Sequence, residues 1–187
     1  MTFNIHTVDS APAGSKATLQ KIQDTYGFIP NLAGVLAEST GTLNYLGGAM
    51  AAMDASEITL SEIEKQVVFL TTSVTNRCEY CTAAHSMLAS MNGLSQEDIE
   101  SLQDGGQLSD PKLENLRKFV EHVVEARGFA EDKAIAQFID AGYAQAQILE
   151  VVAGVSLKTL TNYANHIAEP KVNEQFAQFL PKWNVAA

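Results

Sequence analysis

Two cysteines, no long apolar run and a shortage of basic residues set the first limits on this chain of 187 residues. A single pair of thiols is too few for a secreted disulfide scaffold, and a lone C-x-x-C points to redox or metal chemistry instead. With 12 Lys and Arg against 22 Asp and Glu, the net charge is -10. Nucleic acid and anionic membranes select basic surfaces, so neither is an expected partner. No apolar stretch approaches the length of a membrane-spanning helix. The start, Met1 to His6, lacks a basic segment followed by an apolar one, so the cytoplasm is the expected location. Convincing β-alternation, low-complexity tracts and short repeats are absent as well. What is there, 46% hydrophobic residues over this length, suits one soluble domain with a buried core.

Caps and glycine stops divide the chain into helices, and the expected fold is an all-α, multi-helix bundle forming a single domain, 1–187. Residues 1–14 read as an irregular arm. Ser15 is a candidate cap for a helix ending at Tyr26, with Gly27 as its stop. Pro30 places a turn before helices over 31–38 and 41–54, the second rich in small residues (Gly47, Gly48, Ala49) that suit close helix contact. Thr59 or Ser61 opens a helix in which Leu60, Ile63, Val67, Leu70 and Val74 form a buried seam. The same phase runs on through Cys78, Cys81, His85 and Leu88, with Asn76 expected to cap a fresh helix that ends at Asn92-Gly93. Further helices are expected over 96–103, 111–127, 130–140, 144–168 and 173–180.

The chemistry concentrates in Asn76-Arg77-Cys78-Glu79-Tyr80-Cys81-Thr82-Ala83-Ala84-His85. Spacings of i, i+3 and i+7 put Cys78, Cys81 and His85 on one helical face. A helix start favours the thiolate, and His85, one turn after Cys81, can take its proton directly or through a water. Cys81 is therefore the expected thiol for attack on an oxidant. Cys78, nearer the helix end and expected to be more accessible, is the partner that closes the disulfide. A thiol donor would reopen it. The competing readings are a metal-binding or redox-sensing module without turnover and a non-catalytic scaffold. A closed metal site needs a fourth ligand, and His6, His122 and His166 qualify by residue type alone. No bound metal or cofactor is expected.

The run Leu60-Ser61-Glu62, Glu64-Lys65-Gln66-Val67-Val68, followed by Cys78-x-Tyr80-Cys81-x-x-Ala84-His85, resembles the alkylhydroperoxidase D-like branch of the carboxymuconolactone decarboxylase family. The resemblance is strongest over about residues 57–93 and continues weakly through Tyr143, Asn162 and His166. It implies an all-helical bundle that assembles into dimers, trimers or hexamers. It also implies peroxide reduction by a cysteine pair, with an external dithiol or lipoyl-type reductant as electron donor. By position, Cys81 would be the peroxidatic thiol, Cys78 the resolving and donor-facing thiol, and His85 the relay base. Two positions depart from the family pattern: its relay glutamate is Gln66 here, and a residue that is histidine in some members is Tyr80. An amide can orient the imidazole or a water but cannot take a proton. Glu150 is a candidate replacement because it interrupts the apolar run Ile148-Leu149-Glu150-Val151-Val152, where an acid is costly unless paired or functional. If it serves, its carboxylate should lie within reach of His85, in the same or a neighbouring subunit. The opposing reading has Glu150 exposed or paired with a lysine such as Lys158. Glu62 and Glu64 are expected on a solvated face.

Overall fold

Ten helical segments follow one another in the structure, a computed structural model that describes residues 3–183, and no strand occurs among those residues. They are α1 (Ala13–Tyr26), α2 (Asn31–Leu36), α3 (Thr40–Met53), α4 (Glu62–Thr75), α5 (Glu79–Met91), α6 (Gln96–Gln103), α7 (Pro111–Glu125), α8 (Asp132–Asp140), α9 (Gln145–Ala168) and a 3-10 helix, Glu174–Phe179. The all-α expectation holds, and most boundaries fall within two residues of those read from caps and glycines. The first two residues of the expected arm and the end of the tail lie outside the described residues.

α4 is the centre of the bundle. Ser61 and Glu64 form a reciprocal capping box at its start, and α5, α6, α7 and α9 pack around it. Its core-facing surface is wider than the expected seam, for every residue from Glu64 to Ser73 is buried. Most of the polar side chains there find a partner, Thr71 Oγ1 being the exception. Thr72 and Ser73 donate back to the carbonyls of Val68 (2.7 Å) and Phe69 (2.8 Å). Lys65 donates to Met53 O and pairs with Glu62. Glu64 is thus not on a solvated face: it caps α4 and pairs with Lys112 at 3.0 Å. Glu62 is the solvated one, its side chain 63% exposed.

α9 crosses α4 at Gly154. A Cβ there would stand 2.8 Å from a Val68 methyl and 3.3 Å from the Phe69 ring, so only glycine lets the two backbones approach this closely. The small residues of α3 do less than expected. A Cβ at Gly47 would stand 3.0 Å from the Thr18 methyl of α1, whereas one at Gly48 would meet open space. At the N-terminus the arm lies against α2, with His6 N donating to Gly34 O. Ser15 does not cap α1, which begins at Ala13. It is buried inside the helix and donates to Ala37 O at 2.8 Å, tying α1 to α2. No described helix is long and apolar enough to cross a membrane.

Candidate active site

The site is made by the turn between α4 and α5. Arg77 adopts the left-handed conformation (φ 55°), and two hydrogen bonds close α4: Arg77 N to Val74 O and Cys78 N to Ser73 O, each 2.8 Å. This is a Schellman ending with Arg77 in the position glycine usually fills. Asn76 is therefore the C-cap of α4 rather than the expected N-cap of α5. The role passes to Cys78, whose Sγ accepts from Cys81 N at 3.4 Å. One residue both ends the first helix and starts the next. The tight reversal turns Cys78 inward, where it is 0% exposed; Cys81 is 2% exposed. The expectation that Cys78 is the more accessible thiol is overturned, because its cap position tucks the sulfur under the turn instead of placing it on the open helix end.

Cys81 faces an apolar cavity of about 140 Å³ between α1, α2, α3, α4, α5, α9 and the 3-10 helix. Phe28, Leu32, Met50, Phe69, Leu88 and Phe176 supply much of its wall, and His85 and Lys158 bring its polarity. Both cysteines are free thiols. Burial raises the pKa of Cys81, but hydrogen bonding from Cys78, the Lys158 charge and hydrogen bonds from Asn162 and Thr161 outweigh it and hold the group down at about 6. Hydrogen bonding to Cys81 and burial push Cys78 up, so Cys78 is the thiol and Cys81 the thiolate of the pair.

His85 is half-buried, with its ring against Phe69 (centroids 5.2 Å). Burial, then the Lys158 charge, lower its pKa well below the usual histidine value, which keeps the imidazole neutral. Nδ1 lies 3.0 Å from Gln66 Oε1. A carbonyl oxygen only accepts, so the proton sits on Nδ1 and Nε2 keeps its lone pair. Gln66 orients the imidazole as an amide can.

Glu150 stands elsewhere. Its carboxylate accepts from Thr59 N (3.0 Å), Thr59 Oγ1 (3.1 Å) and Leu60 N (3.0 Å), anchoring the segment that leads into α4. It makes no hydrogen bond to His85 and no ion pair with Lys158 in this subunit, and it is buried rather than exposed. Tyr80 belongs to the cavity wall, but its hydroxyl is engaged behind it, donating to Asn173 Oδ1 (2.6 Å) and accepting from Leu32 N (3.2 Å). Asn162 accepts from Asn76 Nδ2 at 2.9 Å and donates to Ser73 Oγ at 3.4 Å. His6 pairs with Glu38, His122 accepts from Glu131 N, and His166 is exposed beside Tyr163. Among the described residues, no three His, Cys, Asp or Glu side chains converge as a metal-ligating set.

Sequence reasoning did not place Lys158 at the site. The signal was available in the phase of α9, where Glu150, Val151, Gly154, Leu157, Lys158, Thr161, Asn162 and Asn165 repeat at helical spacing and form the buried face.

Fold and site together define an all-helical bundle that carries a cysteine pair at a helix start, with one of the two, Cys81, opening on an apolar cavity. The carboxymuconolactone decarboxylase family profile matches residues 41–107, the segment holding α4, the cysteines and His85. Among solved structures, an uncharacterized peroxidase-related protein from Ralstonia eutropha JMP134, described as an alkylhydroperoxidase AhpD core, is similar with a TM-score of 0.84. It is 17% identical, over 96% of this chain and 97% of that one. A peroxidase-related protein from Silicibacter sp. TM1040 is similar with a TM-score of 0.79 and 18% identity, over 94% and 95% of the two chains. The debrominase Bmp8, as a cysteine-to-alanine variant in complex with 2,3,4-tribromopyrrole, gives a TM-score of 0.79 at 12% identity, over 96% and 95%. Such identities establish a shared fold. No curated protein matches the chain. The resemblance to the alkylhydroperoxidase D-like branch of the carboxymuconolactone decarboxylase family, read first from the motif, therefore stands.

Proposed function

We propose that this chain is a thiol-dependent peroxidase that reduces alkyl or hydrogen peroxides with Cys78 and Cys81. The observation that carries the reading is Cys81 lining an apolar cavity beside a neutral, oriented His85, with its thiol acidified by its neighbours. In the first step the Cys81 thiolate attacks the terminal oxygen of ROOH. An S–O bond forms, the O–O bond breaks and RO⁻ leaves with the electron pair, so sulfur is oxidised to sulfenic acid and the peroxide is reduced. The Cys78 thiol then displaces water from the sulfenic acid to form the disulfide. His85 Nε2 accepts the Cys78 proton and returns it to the departing hydroxide. An external dithiol or lipoyl-type donor would restore both thiols and leave as its own disulfide. Because only Cys81 opens on the cavity, that donor attacks the Cys81 sulfur and releases Cys78, which reverses the donor-facing assignment carried over by position. The proposed setting is the cytoplasm, where such donors are kept reduced.

The test is turnover of cumene hydroperoxide and of hydrogen peroxide with dihydrolipoamide, thioredoxin or glutathione. Cys81→Ser should lose all turnover. Cys78→Ser should lose turnover while still forming a sulfenic acid that dimedone traps on Cys81. If Cys78 is the sulfur labelled in wild type and Cys81→Ser still reduces peroxide, the roles are reversed. Inert thiols in both positions would sink the peroxidase reading. Release of bromide from a brominated pyrrole, without peroxide turnover, would assign the same thiol to reductive dehalogenation.

A further inference from the structure

Lys158 is buried, 6% exposed, and lines the cavity with Cys81 and His85. Among the described residues it makes no ion pair with a carboxylate, although every other buried cation has one: Lys65 has Glu62 and Arg117 has Glu114. A buried ammonium without a counter-charge is strongly disfavoured. The titratable groups lining this space are Tyr80, Cys81 and His85 from α5, Tyr26 from α1 and Lys158 from α9, with Cys78 off the cavity and hydrogen-bonded to Cys81. The histidine is neutral and the phenols are protonated at ordinary pH. The charge that can balance Lys158 is the Cys81 thiolate.

We infer that Lys158 is a catalytic residue of this site: its ammonium holds Cys81 as the thiolate and then protonates the alkoxide that leaves when the peroxide O–O bond breaks. The inference rests on the peroxidase reading above and adds the group that closes the proton balance of its first step. When Cys81 becomes a neutral sulfenic acid, Lys158 loses its partner as RO⁻ appears in the same cavity. Transfer of one ammonium proton gives ROH and a neutral lysine amine, and both buried charges vanish together. Solvent reprotonates the amine once product leaves. The remaining wall is apolar, so the substrate class that fits is an organic hydroperoxide with a hydrocarbon body, its terminal oxygens directed at Cys81 and Lys158.

Alkylation of Cys81 by iodoacetamide, read by peptide mass spectrometry across pH 5–10, tests the first half without any peroxide. In wild type the rate should reach its plateau well below the ordinary thiol range. In Lys158→Met the midpoint should rise by a unit or more, lowering the rate at pH 5 by ~10-fold. Lys158→Arg keeps the charge and should keep the low midpoint. Arginine gives up its proton poorly, so the same variant should reduce cumene hydroperoxide at least ~10-fold more slowly than wild type, with alkylation unchanged. If Lys158→Met folds and titrates like wild type, the thiolate-holding role is wrong. If Lys158→Arg turns over peroxide at the wild-type rate, the proton-donor role is wrong. Should Lys158→Met fail to fold, Lys158 can be titrated by NMR in 13C-lysine-labelled wild type and Cys81→Ser, with the resonance identified from its loss in Lys158→Arg. A lysine pKa that drops when Cys81 is removed supports the pairing, and an unchanged one overturns it. An ordinary thiol profile in wild-type Cys81 would instead bring down the peroxidase reading itself, a result distinct from any failure specific to Lys158.

Discussion

At the scale of single residues, the site assigns opposite work to two cysteines of the same type three positions apart. Cys78 is fixed by the turn as a cap and kept protonated; Cys81 is acidified to about 6 by Cys78, Lys158 and two hydrogen bonds. Held below the usual thiol range, Cys81 should stay reactive toward electrophiles at pH 7 and lose reactivity as pH drops through about 6. Gln66 is the residue where a prediction is sharpest. Gln66→Leu removes the acceptor that fixes Nδ1–H of His85, and losing one buried hydrogen bond of ~1–1.5 kcal/mol should slow disulfide formation about tenfold. Gln66→Glu places a carboxylate there, so the His85 pKa should rise, measurable by NMR, and turnover should increase. A histidine titration unchanged by both substitutions would remove Gln66 from the mechanism. The identity of the residue at 66 was legible along the chain; its contact with His85 was not, because the two are 19 positions apart on different helices.

At the scale of elements, the α4–α9 crossing decides the cavity. It brings Gln66, from α4, to His85 and Lys158, from α9, to the cavity that Cys81 of α5 lines. Gly154→Ala tests how tightly. Alanine gains ~1 kcal/mol of helix propensity over glycine. The new methyl meets a β-branched Val68 side chain at 2.8 Å and an aromatic ring at 3.3 Å in a buried seam, and overpacking of that kind costs ~1–3 kcal/mol. The clash should win. Denaturant unfolding is expected to show a net loss of about 1 kcal/mol, and a more stable variant would mean the helices can shift apart freely. The turn before α5 carries the clearest lesson about reading caps. Asn76 is a good N-cap by residue type, yet the chain uses it to end α4. The decisive fact is the left-handed Arg77, which residue preferences give little reason to expect.

At the scale of the whole molecule, two features ask for measurement. Leu149, Val152, Tyr163 and Ile167 of α9 are 71%, 45%, 55% and 72% exposed. With Leu160 they form an apolar stripe along the outer face of the longest helix. A second copy of the chain is the proposed cover, in line with the homo-oligomer that the family resemblance implies. Light scattering should report a dimer or larger assembly, and Leu149→Glu with Ile167→Glu should shift it toward monomer. A monomeric wild type would overturn the proposal. The second feature is acid stability. Glu64, Asp98 and Glu114 are buried, which raises their pKa values, but hydrogen bonds and ion pairs outweigh this and lower all three. A carboxylate depressed in the folded state adds stability above its unfolded value of 4.5 (Glu) or 3.8 (Asp). That stability is lost as pH falls through the folded value. Unfolding free energy should therefore decline below about pH 4.5. Acidification also relieves the repulsion of a net charge of -10, so a rise in stability there would show that repulsion outweighs these three groups.

The helices, their near-boundaries and the C-x-x-C-x-x-x-H face follow from the chain read alone, because caps, glycine stops and apolar periods act within a few residues. Packing decided the rest. Whether Glu150 served His85 or anchored Thr59 and Leu60, and whether Lys158 joined the site, depended on contacts between segments tens of residues apart, while Cys78 turned inward because of the left-handed Arg77 beside it. Local pattern places a side chain on one face of its own helix; what that face meets is set by how α4, α5 and α9 cross. The buried polar groups that find partners once water is excluded, Gln66, Glu64 and Glu150 among them, then acquire their roles from the company that crossing provides.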